Sequence, residues 1–236
     1  MKKIILSFLN NHFKKIKGEN YEIDQSMSVD SVLNVILEKF LQIIRGFFRS
    51  LIFLRKTSLN LFLEDKIKIR HGKLFNFGSG VYIKSGTIID CLSTDGIKLG
   101  NGVTIGENSI LRCTGSLSCI GKGIEIGDNS SLDAFAFVGG SGGVSIGKQV
   151  ICGQKVSFHS ENHNFDNTEK YIREQKTTRK GITIEDNCWI GANVTILDGA
   201  YISSGSVIAA GAIVKGSFPK NSLIAGVPAK VIREIN

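Results

Sequence analysis

The stretch that decides the fold is Ile182–Val214, with the sequence ITIEDNCWIGANVTILDGAYISSGSVIAAGAIV. Every sixth residue from Ile184 onward is an Ile or a Val, namely Ile184, Ile190, Ile196, Ile202, Ile208 and Val214. The residue two places before each of these is small or apolar: Ile182, Cys188, Val194, Ala200, Ser206 and Ala212. A period of six fits neither an α-helix nor one alternating strand. It predicts a chain that turns a corner about every six residues, so that three sides close a triangular coil of roughly 18 residues in a β-solenoid.

Weaker copies of the repeat extend the predicted solenoid toward the N-terminus. From about Gly72, short apolar pairs alternate with Gly, Ser, Asn and Asp, and the spacing of six becomes regular at Leu99, Ile105, Leu111 and Leu117. Glycine-rich slips at 121–123 and 139–143 are followed by renewed repeats. We therefore predict a solenoid of about seven coils over residues 75–217, closed by a C-terminal capping tail at 218–236.

The periodicity stops between the coils at residues 159–181, which hold charged residues and two of the four histidines. A long insertion in a tight solenoid is an excursion from one corner, and loops on rigid scaffolds are where function concentrates. This loop is the predicted functional site.

The first 74 residues differ from the rest and are predicted to be helical and basic. Ser28 is a predicted N-cap, and apolar residues at helical spacing continue to residue 56, in one helix or in two joined near Gly46. Charged residues interrupt this pattern, which excludes a membrane span of about 20 apolar residues. Two interpretations remain open. The helix packs on the first coil or on another subunit, or residues 28–56 lie on an anionic membrane surface.

Composition narrows the functional classes. The chain has a net charge of +8, concentrated in its first third rather than along the repeats, which argues against nucleic-acid binding by the solenoid. The five cysteines show no metal-ligand spacing and are predicted to be reduced and structural. No cleavable signal is evident, so a cytoplasmic location is predicted. Residues 142–148 imitate a phosphate-binding loop but lack the Ser or Thr that follows its lysine.

The chain resembles the left-handed β-helix, or hexapeptide-repeat, acyltransferases, and most closely their sugar O-acetyltransferase and xenobiotic acetyltransferase branch. The resemblance rests on the motif His163-Asn164-Phe165-Asp166, on residues 184–192 and 207–211, and on the tail 225–233. It covers residues 75–236 and implies an all-β fold. It also implies direct acetyl transfer from acetyl-CoA to a hydroxyl of a sugar or glycan precursor. Carbonic anhydrases of similar architecture need three zinc-binding histidines at a spacing that this chain lacks, and no metal site is implied.

The resemblance also implies roles for individual residues. His163 is the expected general base, and the alternative for it is a solvated loop histidine. The candidates for the acceptor site are His159, Glu161, Asp166 and Asp133, with Glu161 in a position to orient an imidazole.

For coenzyme A, small residues at Ala192 and Ala210 leave room for the pantetheine arm, and basic residues in the tail meet the phosphates. The cofactor-binding candidates are Trp189, Ala192, Ala210, Lys215, Lys230 and Arg233, and Trp189 either flanks the site or packs in the core. The family implies a homotrimer with each site between two subunits, and a basic N-terminus suits an acceptor carried on a membrane lipid. Two alternatives stay open: an N-acetyltransferase of an amino sugar, and a non-catalytic solenoid used for binding or assembly.

Overall fold

The computed structural model describes Ser7, Asn10, Asp24, residues 26–51 and residues 61–236. These ranges contain one long helix, α1 (Val29–Arg49), and strands numbered β1 to β25 along the chain. All strands but four pair only in parallel, and they form three sheets that run the length of the molecule. The chain visits the three sheets in turn, which is the triangular coil that the six-residue repeat predicts.

Sheet 1 has nine strands: β1 (Leu61–Leu63), β4 (Val81–Ile83), β7 (Thr104–Ile105), β10 (Ser131–Leu132), β13 (Ile151–Cys152), β18 (Trp189–Ile190), β21 (Val207–Ile208), β24 (Ser222–Gly226) and β25 (Ala229–Glu234). Sheet 2 has seven: β2 (Lys68–Arg70), β5 (Ile88–Asp90), β8 (Ile110–Arg112), β11 (Phe137–Gly139), β14 (Ser157–His159), β19 (Thr195–Leu197) and β22 (Ile213–Val214). Sheet 3 also has seven: β3 (Phe75–Phe77), β6 (Ile97–Leu99), β9 (Ile124–Ile126), β12 (Val144–Ile146), β17 (Ile182–Ile184), β20 (Tyr201–Ile202) and β23 (Ser217–Phe218).

The core is a set of aliphatic columns inside the coils. In sheet 3, for example, Ile126, Ile146, Ile184 and Ile202 lie above one another in register, and all four are buried. Each strand is too short to bury its own apolar face, so stability comes from stacking one coil on the next. The backbone hydrogen bonds also run along the stack of coils. Each coil donates N–H groups to the carbonyls of the next, as from Ile151 to Cys188 at 2.9 Å.

The solenoid starts earlier than predicted, and the expected boundary at residue 75 is wrong. The first coil begins at β1, which pairs with β4, and β2 pairs with β5. The six-residue spacing in fact continues backward from Val81 through Phe75 and Ile69 to Leu63. It is hard to see in the sequence because charged residues separate these anchors.

Helix α1 begins after Ser28, whose side chain accepts a hydrogen bond from the Ser31 N–H, as expected for an N-cap. It packs on the first coil through Gly46, where an added Cβ would lie 1.9 Å from the carbonyl oxygen of Leu61. The helix ends at Arg49, and residues 52–56 of the predicted helix lie outside the described residues. In the described part of the chain, no helix is long and apolar enough to span a bilayer.

The corners between the sheets differ in the length of their connecting segments, and this difference determines where the long loop lies. From sheet 1 to sheet 2 the chain turns in short, similar segments, such as residues 191–194 and 209–212; we call this the tight corner. From sheet 2 to sheet 3 the connections vary in length and include residues 113–123 and 160–181; we call this the loop corner. The last coil is covered at one edge by the antiparallel hairpin β24–β25.

Candidate active site

The long loop leaves the loop corner after β14 and returns at β17. Within it, β15 (Asn162–His163) and β16 (Thr177–Thr178) pair in an antiparallel hairpin, with His163 opposite Thr177. The His163 side chain is exposed on this hairpin, and no described residue hydrogen-bonds to its imidazole. A histidine held on a paired backbone with free ring nitrogens is suitably placed to exchange a proton with a ligand.

A buried carboxylate holds the root of the loop. Asp198, which is 3% exposed, accepts hydrogen bonds from the backbone N–H groups of Lys180 and Gly181, both at 2.8 Å, and from the Asn162 amide at 3.4 Å. Asn162 immediately precedes His163, so Asp198 connects the ascending and descending arms of the hairpin to the next coil. Sequence reasoning missed Asp198, because an Asp-Gly pair in a repeat indicates only a turn.

A second anchor ties the loop to its neighbour at the loop corner. The Arg179 guanidinium donates through Nε to Glu161 at 2.5 Å and through Nη1 and Nη2 to the carbonyls of Ile120 and Cys119, at 3.0 and 3.3 Å. This pairing engages Oε2 of Glu161. Glu161 therefore holds the loop, and its expected role in orienting an imidazole stays a prediction.

We expect Arg179→Ala to lower kcat by about tenfold while leaving the KM for the acyl donor near its wild-type value. Loss of the guanidinium leaves Glu161 unpaired and frees the loop that carries His163, the predicted general base, and small misplacements of a catalytic group reduce the rate strongly. Arg179→Lys is the matched variant and should recover part of the rate, because one ammonium group replaces only some of the donors. Steady-state kinetics of both variants test this. An Arg179→Ala enzyme with wild-type kcat would show that the anchor does not position the site.

The remaining acceptor-site candidates separate into two groups. His159 ends β14, and its ring lies 5.3 Å from that of Phe137, centroid to centroid; burial against this neighbour lowers the pKa of His159 and favours its neutral form. Asp166 is exposed on the loop beyond His163. Asp133 lies instead at the tight corner, where its Oδ1 accepts from the N–H of Ala134 at 2.7 Å. Within one chain the structure does not bring Asp133 to His163.

The small residues predicted to line the coenzyme A groove do lie together, at the tight corner. Ala192 and Ala210 follow β18 and β21, which pair in register, and the carbonyl of Ala192 accepts from Gly211 N–H at 2.9 Å. Neither alanine is buried. An added Cβ on Gly191 would lie 2.5 Å from the backbone nitrogen of Ala210, so these coils are packed as closely as their residues allow.

The other cofactor candidates are spread around this end of the solenoid. Lys230 and Arg233 are exposed on β25, opposite Ala225 and Leu223 of β24, in the sheet that leads into the tight corner. Lys215 directly follows β22 and so lies at the loop corner, at the opposite end of that strand from Ala210. Trp189 is 56% exposed on the outer face of sheet 1, so the alternative that it packs in the core is wrong.

Comparisons with known proteins agree with this architecture. The bacterial transferase hexapeptide family model, with six repeats, matches residues 181–216. The "Putative lipopolysaccharide biosynthesis O-acetyl transferase" of Escherichia coli (strain K12) is 30% identical over 59% of this chain and 76% of its own length. The galactoside O-acetyltransferase of the same organism is 35% identical over 56% of this chain; the chain spans 64% of that relative, less than two thirds.

Solved structures share the fold. A variant of an N-acyltransferase from Bacillus cereus, in complex with dTDP-4-amino-4,6-dideoxyglucose and coenzyme A, aligns with a TM-score of 0.52 at 15% identity, over 75% of this chain and 82% of that one. The fold is the left-handed parallel β-helix, as predicted. The chain belongs to the hexapeptide-repeat transferase family, and the class of protein that its fold and relatives define is an acetyltransferase.

Proposed function

We propose that the protein is an acetyl-CoA-dependent O-acetyltransferase that acts on a hydroxyl of a sugar or glycan precursor, with His163 as general base. The observation that carries this proposal is the exposed imidazole of His163 on a hairpin fixed by Asp198 and Arg179. The two O-acetyltransferase relatives support the same reaction. A sugar hydroxyl is a weak nucleophile, and a positioned base of near-neutral pKa contributes typically about 10²–10⁴-fold to its reactivity.

In this proposal acetyl-CoA supplies the acetyl group as a thioester. His163 takes the proton of the acceptor hydroxyl as its oxygen bonds to the acetyl carbon, and the proton then neutralises the departing thiolate. Ala192 and Ala210 leave a shallow path along the tight corner for the pantetheine arm. Lys230 and Arg233, exposed on the final hairpin, are suited to the nucleotide phosphates.

The separation of the two corners supports a homotrimer. His163 lies at the loop corner and the alanines at the tight corner, so the width of sheet 2 separates base and groove within one chain. A second copy would bring the tight corner of one subunit to the loop of its neighbour. Large apolar residues are exposed on the outer faces of sheets 1 and 2, among them Ile151, Trp189 and Ile213, which suits burial between subunits.

The test is release of free thiol from acetyl-CoA by the wild-type protein with a panel of sugars and glycan precursors. We expect release that requires a hydroxyl acceptor and proceeds without any free amine. Release only with amino sugars would instead assign the alternative function, an N-acetyltransferase of an amino sugar. If no coenzyme A binds at all, the protein is a non-catalytic solenoid and the proposal is wrong.

We further propose that helix α1 rests on an anionic membrane surface, where a lipid-linked acceptor would be found. One face packs on the first coil, while the other exposes a continuous apolar stripe: Leu33, Leu37, Phe40, Leu41, Phe48 and Leu51. Residues 1–74 hold 14 Lys and Arg against 7 Asp and Glu, so they carry +7 of the net charge of +8. Helix α1 itself carries a net charge of +1, from Lys39, Arg45 and Arg49 against Asp30 and Glu38. Its apolar stripe therefore supplies the face for the bilayer interface, and the rest of the basic N-terminal region supplies the attraction to anionic lipid.

We expect the wild-type protein to sediment with vesicles that contain phosphatidylglycerol and the variant Leu37→Ser/Phe40→Ser/Phe48→Ser to stay in the supernatant. The three side chains lie on the exposed stripe, so their loss removes apolar contact without disturbing the face that packs on β1. Ser145→Ala on the outer face of sheet 3 is the control. Equal sedimentation of wild type and triple variant would contradict membrane contact through α1.

A further inference from the structure

A groove lies on sheet 3 just below the root of the 160–181 loop. Its volume is about 220 Å³, and its charged lining residues are Lys98, Lys122, Lys180, Asp95 and Glu125. Pockets for drug-sized ligands measure roughly 300–1,000 Å³. This smaller groove therefore suits one sugar ring with a charged substituent.

The register of the coils places two of the lysines along one edge of the groove. Ile124, Val144 and Ile182 are paired across β9, β12 and β17. Lys122 and Lys180 each precede their strand by two residues, and Gly142 takes the corresponding place between them. With strands about 4.8 Å apart, the two lysine backbones lie roughly 10 Å apart. Gly142 has no side chain, so the space between the two lysines is open to a ligand.

Glycines also determine where the lysine stems lie. An added Cβ on Gly143 would come 2.9 Å from Cδ of Lys122, and one on Gly199 would come 3.2 Å from Cδ of Lys180. Each stem thus lies over a glycine of the following coil, so the Lys122 stem leans toward Lys180 and the Lys180 stem leans onward, away from Lys122. The aliphatic part of each lysine is supported by the backbone, while the residue itself remains exposed at the groove.

The three lysines of the groove are not held in salt bridges. Within residues 26–51 and 61–236, none of Lys98, Lys122 and Lys180 forms a salt bridge. Lys84 and Lys148 elsewhere on the coils do so, with Glu107 at 2.9 Å and Asp128 at 3.7 Å. Ammonium groups that form no salt bridge can donate hydrogen bonds to an oxyanion.

The two carboxylates narrow the ligand class. Asp95 and Glu125 line the same groove and leave it a net charge of +1. Carboxylates accept hydrogen bonds from hydroxyls and repel a small polyanion. A ligand with both an anionic group and hydroxyls, which is a charged sugar, matches this lining better than inorganic phosphate does.

The groove is close to the proposed base. Lys180 follows Thr177 by three residues, and Thr177 pairs with His163. Three residues span at most about 11 Å, and paired antiparallel Cα atoms lie about 5 Å apart. The Cα atoms of His163 and Lys180 are therefore within about 16 Å, a distance that an acceptor with a charged ring beside its reactive ring can bridge.

From these features we infer that the groove, which is lined by Lys98, Lys122 and Lys180, is a subsite for an anionic group, phosphate or carboxylate, on the sugar acceptor. The inference rests on the proposed function and adds the substrate class. The acceptor carries negative charge next to the sugar that is acetylated, and the lysines select it over neutral sugars.

Isothermal titration calorimetry in the absence of acetyl-CoA tests this with three probes: galactose 1-phosphate, galacturonic acid and methyl galactoside. We expect at least one anionic probe to bind about tenfold or more tightly than the neutral one, and 0.5 M NaCl to remove the difference. Lys122→Gln/Lys180→Gln should weaken anionic binding by about tenfold or more and leave neutral binding unchanged. The stronger anionic probe identifies phosphate or carboxylate as the recognised group.

Lys148→Gln is the matched control. Lys148 is an exposed lysine at the corner between sheets 3 and 1, outside the groove, and its replacement should leave all three affinities unchanged. Equal binding of charged and neutral probes, or wild-type affinity in the double variant, would overturn the subsite. Equal weakening by Lys148→Gln would also overturn it, since the effect would then be one of overall charge. The calorimetric experiment measures binding without turnover, so its result does not depend on the activity assay. Absence of thiol release in that assay would reject the proposed reaction but would not by itself reject the subsite.

Discussion

Replacement of His163 by alanine is expected to lower sugar-dependent thiol release by about 10²–10⁴-fold, the usual contribution of a general base. The change should fall on kcat, since the imidazole acts on the proton that moves and contributes little to holding acetyl-CoA. His163 is exposed on the hairpin, so its truncation leaves no cavity and the thermal unfolding temperature should stay at the wild-type value. Steady-state kinetics with one hydroxyl acceptor at several pH values measure the effect.

The matched control is His71→Ala. His71 is also exposed, but it lies on the first coil, where Nδ1 is 3.0 Å from Asp90. It should retain wild-type kcat. If His163→Ala kept full activity, the base assignment would be wrong. His159, which ends β14 at the start of the same loop, would then be the histidine to replace next.

Replacement of Ala210 by tryptophan is expected to weaken coenzyme A binding by about 100-fold or more, which corresponds to roughly 2.7 kcal/mol. Ala210 is exposed at the tight corner, so a large side chain there fills the proposed path of the pantetheine arm without entering the core. The affinity for coenzyme A alone, measured by calorimetry, reports this effect apart from catalysis.

Ser204→Trp is the control for bulk on the same coil. Ser204 lies between β20 and β21, at the corner between sheets 3 and 1, and is not part of the proposed groove. It should bind coenzyme A as the wild type does. Wild-type affinity in Ala210→Trp would place the groove elsewhere, whereas equal loss in both variants would indicate a change in assembly, which sedimentation of the two variants would detect.

The sequence was sufficient for the architecture because the repeat is local. A period of six residues with a branched aliphatic anchor predicts a corner after each short strand, and the inward columns follow from stacking alone. The same reasoning failed at the first coil. Leu63 and Ile69 follow the period, but the charged residues between them obscure it, so the start was predicted at residue 75 instead of 61.

For the site, the sequence identified the loop and His163 but not what fixes them. Arg179 pairs with Glu161 within the loop and with carbonyls at residues 119 and 120, which are far away in the chain. Nothing in the local pattern indicates these partners, because the loop corner brings together insertions from different coils. The lysine groove arises in the same way, since its three lysines come from three separate coils.

Two kinds of information therefore determine the fold and the site of this protein. The sequence by itself determined the solenoid, the position of the long loop and the residue types available for chemistry, since each depends on a pattern repeated or interrupted along the chain. Only the tertiary structure decided how those residues are arranged: His163 at one corner, Ala192 and Ala210 at another, and Lys122 and Lys180 two coils apart in one groove. The reason is that the coil register, which no single repeat encodes, sets every contact between residues of different turns.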